Sequence, residues 1–249
     1  QRNARRRYRE VTVSKAGQLS EIATEQWGLV TTAQAGRVGV TAQSIAKMAK
    51  AGSLVRLAQG VYRLAGSPVD MHEDLRVAWL GLDPGRTAVE RLVGVDVDIV
   101  SHRSAALLLG LGDLDADLME FTVSRRRQTR RPDVRVYRSS VGPDDWALTA
   151  SLPAASPRRV IADLAAARID RGHLATVVRD AVLDHHLAMD AVAATLAPHA
   201  RAYGAATGNG QGLLTLLLRE AGIPRGAIDA VVRGAPDALL TAGDRDSHE

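Results

Sequence analysis

Residues Thr31–Leu64 read TTAQAGRVGVTAQSIAKMAKAGSLVRLAQGVYRL. Thr31 or Thr32 can cap a short helix running to about Val38, and Gly39 makes a turn. Thr41 caps a second helix that reaches Lys50 or Ala51 and is closed by Gly52. Along it Ile45, Met48 and Ala49 fall at i, i+3 and i+4, so they face a core with Val40. Two strand-like runs follow, Leu54 to Leu57 and Val61 to Leu64, joined by Ala58-Gln59-Gly60, where Gly60 supplies the positive φ of a tight hairpin. Upstream, Leu19, Ile22, Ala23, Gln26 and Trp27 are at helical spacing, and Gly28 ends that helix. Helix, helix, turn, helix and ribbon in about fifty residues predict a winged helix-turn-helix.

That pattern carries a chemistry. Thr41, Gln43, Ser44, Lys47 and Lys50 lie on or beside the face that the core does not take. Gln makes paired hydrogen bonds to adenine in a major groove, Ser and Thr reach several base edges, and Lys reaches phosphates or guanine. Arg56, Gln59 and Arg63 sit on the ribbon, where a wing meets the DNA backbone. Charge placement agrees. Up to Gly66 there are 11 Lys+Arg against 3 Asp+Glu, a net of +8; beyond it there are 21 against 25, a net of −4. A basic head on a mildly acidic body suits phosphate binding by the head and another task for the body. Residues 1–17 are expected to form a basic tail whose arginines (Arg2, Arg5, Arg6, Arg7, Arg9) can follow a backbone or enter a minor groove.

Composition narrows the classes. The chain has 249 residues, 46% hydrophobic but only 3% Phe, Trp and Tyr, so Ala, Val and Leu must fill the core, which leans towards helix. With no Cys there is no disulfide framework, thiolate metal site or Cys nucleophile. No apolar run approaches the roughly 18 residues that span a bilayer, and no apolar segment follows the N-terminal arginines as in a signal peptide. The expectation is a soluble cytoplasmic protein without membrane contact.

The remaining chain, 67–249, reads as a larger, mostly helical domain with a small β-sheet, giving an α+β protein with a winged helix at 18–66. Helix is predicted from about Asp70 to Leu80. A short strand over 98–100 leads to Ser101, which can cap a helix from His102 to Leu109. Strands around 120–123 and 134–137 are expected to form a hairpin with Arg125, Arg126, Arg127, Arg130 and Arg131 at its tip, a second candidate nucleic-acid contact or a seat for an acidic partner. A further strand is expected within 146–152. Ser156-Pro157 marks a strong helix start, and the remainder is helical, broken by a Gly-rich loop over 204–212.

Catalytic patterns fail on their own requirements. Gly208-Asn209-Gly210-Gln211-Gly212 lacks the Gly-Lys-Ser/Thr ending of a phosphate loop, and the chain has no Lys after Lys50. Pro132-Asp133 beside a strand suggests a metal-dependent nuclease signature, but that chemistry needs a Lys, and Arg135 cannot act as a neutral base. His185 and His186 point about 100° apart on a helix and have no metal-ligand spacing. Ser101-His102 reads as a helix start, not part of a triad. A non-enzyme without a metal or other cofactor is expected.

Four segments together resemble a known family: LSEIATEQWGLVTTAQAGRVGVTAQSIAKMAKAGSLVRLAQGVYRL, IVSHRSAALLLGLGDL, FTVSRRRQTRRPDVRVYRSS and LPAASPRRVIADLA. They are similar to the AbiEi-type antitoxins of bacterial type IV toxin–antitoxin systems, over roughly Leu19 to Ala167. The resemblance implies that the winged helix binds repeats in the promoter of its own operon and represses it. It implies that the larger domain counteracts a nucleotidyltransferase toxin encoded alongside, without a cofactor. DNA contact would then fall on the Thr41–Lys50 helix, the Arg56–Arg63 wing and the arginines 125–131. Some related chains carry a nuclease domain after this core; GNGQGLLTLLLREAGIP resembles its beginning, but its acidic residue and Lys are missing here. The alternative from the residues themselves is a winged-helix regulator whose C-terminal domain dimerises or senses a ligand.

Overall fold

The computed structural model describes residues 14–94 and 96–232. The basic arm expected at the N-terminus falls mostly outside these residues, as does the polar end, 244–249. The chain divides into two compact units after Gly94.

The first unit starts with α1 (Lys15–Thr24), capped by Ser14, and ends it through Trp27 and Gly28, both at positive φ (62° and 77°). Next come β1 (Leu29–Thr31), α2 (Thr32–Arg37), α3 (Ala42–Lys50), β2 (Leu54–Ala58) and β3 (Val61–Leu64). Thr31 caps α2 within a capping box completed by Gln34, and Thr41 caps α3. The strands form a sheet of order β1-β3-β2, all antiparallel, with a bulge between Arg56 and Ala58 and Gly60 at φ 74° in the wing turn. Leu19, Ala23, Val30, Ala35, Val40, Ile45 and Leu54 make the core on the helical side. This is the winged helix expected from the sequence, with one strand, β1, that the pattern did not announce.

The unit does not stop at the wing. Two further helices, α4 (Glu73–Leu82) and α5 (Ala88–Leu92), belong to it. α4 starts slightly later than the sequence predicts, and α5 is a helix that the sequence reading does not include. Yet Thr87-Ala-Val-Glu90 is a complete capping box, which is sufficient to start α5. Trp79 of α4 is fully buried, meets Trp27 edge-on at 6.1 Å, and carries the buried Arg91 guanidinium 3.5 Å from its ring centroid.

The second unit holds β4 (Ile99–Val100), α6 (His102–Leu109), β5 (Met119–Val123), β6 (Val134–Arg138), β7 (Trp146–Thr149) and β8 (Leu152–Ala155). Five helices follow: α7 (Pro157–Ala166), α8 (Arg171–Leu183), α9 (Met189–Leu196), α10 (Gly210–Glu220) and α11 (Arg225–Val232). Its sheet has the order β6-β5-β4-β8-β7. α6 and α7 pack on β5 and β8, and α8, α9 and α10 continue the helical layer. The strand expected within 146–152 is a hairpin, β7–β8, turned by Ala150 and Ser151 at φ 49° and 62°. The α+β class, with a helical body and small sheets, is as read from the sequence. Among the described residues no helix is long and apolar enough to cross a membrane.

Two local expectations change. β5 and β6 are parallel, Met119 opposite Val134 and Val123 opposite Arg138, so residues 124–133 are a return crossover and not a hairpin tip. Ten extended residues can reach over 30 Å, ample to run back along a five-residue strand of about 17 Å. Ser101 does not cap α6. Its hydroxyl instead faces His102 Nδ1 and accepts from Thr122, and the Glu120 carboxylate takes the Arg103 amide at 2.8 Å.

Candidate nucleic-acid interface

α3 presents a sharply two-sided surface. Ile45 is buried and Met48 and Ala49 are half-buried, while Thr41, Ala42, Gln43, Ala46, Lys47 and Lys50 are exposed. Gln43, Lys47 and Lys50 therefore share one solvent face, with two alanines that leave room for close approach. Thr41 and Ser44 are committed differently. The Thr41 hydroxyl accepts the Ser44 amide at 3.1 Å, and the two hydroxyls lie 3.0 Å apart, so they hold the helix start. Lys15 Nζ donates to the Gly39 carbonyl at 3.0 Å and so fixes the turn that leads into α3.

On the wing, Arg56 and Gln59 are exposed. Arg63 is not available in the same way: on the central strand β3, it donates to both Glu73 oxygens at 2.5 and 2.6 Å, with both side chains about five-sixths buried. Glu73 opens α4, an element whose contact with the wing no local sequence pattern indicates.

The arginines of 124–133 split in two. Arg125 pairs with Asp96 at 2.5 Å, Arg127 with the buried Asp98 at 3.2 Å, and Arg131 with Asp133 at 2.6 Å. Arg126 and Arg130 are exposed and make no ion pair among the described residues. The mutual repulsion expected of five clustered arginines is thus met largely by aspartates of the same unit. R126A/R130A is expected to lower the affinity for any DNA and to flatten its salt dependence by up to about two in slope. R127A is expected to lower the melting temperature instead, because Asp98 would lose a buried partner. Fluorescence anisotropy over a salt series, beside thermal melts, separates the two.

The polar interior of the second unit bears on catalysis. Ser101 Oγ lies 2.9 Å from His102 Nδ1, and Asp163 lies 3.9 Å from the same nitrogen. A relay needs the two groups on opposite ring nitrogens, and Ser101 is wholly buried. His102, at φ 51°, stacks on Tyr137 at 3.6 Å, and the Tyr137 hydroxyl donates to Glu120 at 2.7 Å. Burial pushes the His102 pKa below its usual value and that of Asp163 above it, and Asp163 also pairs with Arg159 at 2.8 Å. The geometry is that of a packed polar core.

The remaining catalytic suggestions find structural roles. Gly210 has no room for a Cβ, which would lie 1.8 Å from the Ala193 carbonyl, so this glycine lets α10 approach α9. Asn209 caps α10. His185 contacts the Leu109 carbonyl through Nε2 at 3.0 Å, beyond the end of α8. Among the described residues no cluster of three His, Asp or Glu is placed to hold a metal.

A polar network joins the helix-turn-helix to residues 84–90. Arg37 makes two hydrogen bonds to Glu90, at 2.6 and 2.7 Å. Those bonds, with the Thr87 amide, hold the Glu90 carboxyl down to about 2. Its folded value lies below its ordinary one of 4.5, so the stabilisation is fully present above about pH 4.5 and is lost as pH falls towards 2. R37M is expected to remove that part of the acid-unfolding profile, though both side chains are partly exposed and solvent screening keeps the change small. Urea melts at pH 3 and pH 7 check it.

Fold and surface define a winged-helix domain: a core-anchored helix with a polar and basic outer face, followed by a β-ribbon with exposed Arg and Gln. Residues 18–65 match the family described as "Transcriptional regulator, AbiEi antitoxin". The AbiEi-type resemblance therefore holds for the segment that carries the winged helix. No curated protein matches the chain.

Proposed function

We propose that this chain is an autorepressing antitoxin. Its winged helix binds repeats in the promoter of its own operon, and its C-terminal part counteracts a nucleotidyltransferase toxin, by contact or through the toxin's target. The observation that carries the reading is the exposed Gln43, Lys47 and Lys50 face of α3 within a segment matched to AbiEi antitoxin regulators. Exposed Arg56 and Gln59 on the wing support backbone contact there, and Arg126 and Arg130 support a weaker second contact. The work takes place in the cytoplasm, needs no cofactor and involves no catalysis by this chain.

Three measurements test it. The full chain should shift DNA from upstream of its own gene and repress a reporter driven by it. Co-expression should also relieve the growth arrest caused by the nucleotidyltransferase encoded beside it. Repression without relief would leave a plain winged-helix regulator; relief without DNA binding would overturn the assignment of α3.

A further inference from the structure

α2 leads through the Gly39 turn into α3, and residues 84–90 hold it from one side. Gln26 and Gln34 form the centre. Both are buried, and Gln26 Nε2 donates to Gln34 Oε1 at 2.7 Å. Gln34 Oε1 also accepts the Thr31 amide at 2.9 Å, while Gln34 Nε2 donates to the Arg86 carbonyl at 2.8 Å. Gln26 Oε1 accepts the Ala88 amide at 3.1 Å. At the start of α2 the Thr31 hydroxyl donates to the Pro84 carbonyl. At its end Arg37 binds the Gly85 carbonyl at 3.0 Å and both Glu90 oxygens. So the first turn, the middle and the last turn of a six-residue helix are all fixed to one segment. An isolated helix of that length is far too short to hold itself, so its placement depends on its core residue Ala35 and on this grip.

We propose that residues 84–90 position the helix-turn-helix for DNA, with Gln26, Gln34, Arg37 and Glu90 as positioning residues that do not themselves touch DNA. This rests on the DNA-binding reading above and extends the functional module from the wing to Gly94. The alternative for Arg37 is direct phosphate contact, held back by Glu90, and the two make opposite demands. The test uses full-length R37E, E90R and the swap R37E/E90R, with affinity for the upstream DNA measured across a salt series. Positioning predicts that each single change weakens binding by about tenfold or more, at an unchanged salt slope, because no phosphate contact is removed. The swap then recovers at least about threefold of that loss at the same slope, because it rebuilds the ion pair but not the Glu90 bond to the Thr87 amide or the Arg37 bond to the Gly85 carbonyl.

Should a single variant fail its thermal melt, E90Q, which keeps the shape and removes the charge, is expected to give the same weakening at the same slope. The proposal is overturned if the swap stays as weak as R37E with a slope lower by about one, or if E90Q binds more tightly. It is also overturned if every variant binds like the original chain. Failure of the original chain to bind upstream DNA at all would sink the DNA reading itself, and this proposal with it.

Discussion

Q43A and K47A should each weaken binding to the upstream repeat by about 1–3 kcal/mol, but in different ways. Both side chains stand exposed on α3, with Ile45 of the same helix anchored in the core. The helix therefore cannot rotate away to compensate. Gln43 is two residues past the Thr41 cap, and the early residues of a recognition helix meet base edges. Its loss should relax discrimination at one base position and leave the salt slope unchanged. Lys47 lies one turn further on. If it contacts phosphate, its loss weakens binding evenly across sequences and lowers the slope by about one. T41A and S44A should behave as a third kind. Their hydroxyls hold the start of α3, so the loss should appear in thermal stability, at about 1 kcal/mol for Thr41, as much as in affinity. Anisotropy titrations on the native repeat and single-base variants, beside thermal melts, distinguish the three. Equal affinity for all variants on all sequences would remove α3 from the interface.

The winged helix was legible because its signals are local. Thr31 and Thr41 are followed at cap spacing by Gln34 and Ser44, Gly39 and Gly60 stand where positive φ is required, and Ile45 repeats at helical spacing with Met48 and Ala49. What escaped was set by distant partners. Arg63 looked like a wing arginine because nothing near it in sequence is acidic; its partner Glu73 begins the next helix. The arginines of 124–133 looked like a hairpin tip because a short, polar connection between two strands usually is one. Only the parallel register of β5 and β6, and Asp96 and Asp98 from before α6, reveal a return path lined with counter-charges. The Gln26–Gln34 pair escaped for the same reason. Gln34 on α2 and Gln26 in the turn after α1 are buried, and their partners Arg86 and Ala88 stand 52 and 62 residues away.

W79A should have the largest effect on stability of any single change in the first unit. Trp79 is fully buried, and truncating such a side chain costs about 3–5 kcal/mol through lost burial and the cavity left behind. Two further losses follow from its neighbours. The edge contact with Trp27 disappears, and the buried Arg91 guanidinium loses the ring it covers, a cation–π contact that in a desolvated setting contributes about 2 kcal/mol or more. Against a total stability of about 5–15 kcal/mol for an ordinary domain, the sum places the first unit near its unfolding midpoint. W79F keeps a ring beneath Arg91 and should recover most of the difference, whereas W79L, close to Phe in apolar bulk but without a π face, should recover less. The ordering W79F above W79L above W79A in urea melts would show that Arg91 depends on the ring and not only on the space it fills. A melt of W79A within about 1 kcal/mol of the original chain would mean that α4 and α5 are a loose appendage to the winged helix. The consequence for function is direct, because the segment that grips α2 runs from the end of α4 into the first turn of α5. W79A should therefore lose operator binding at temperatures where α3 itself carries every residue it needs.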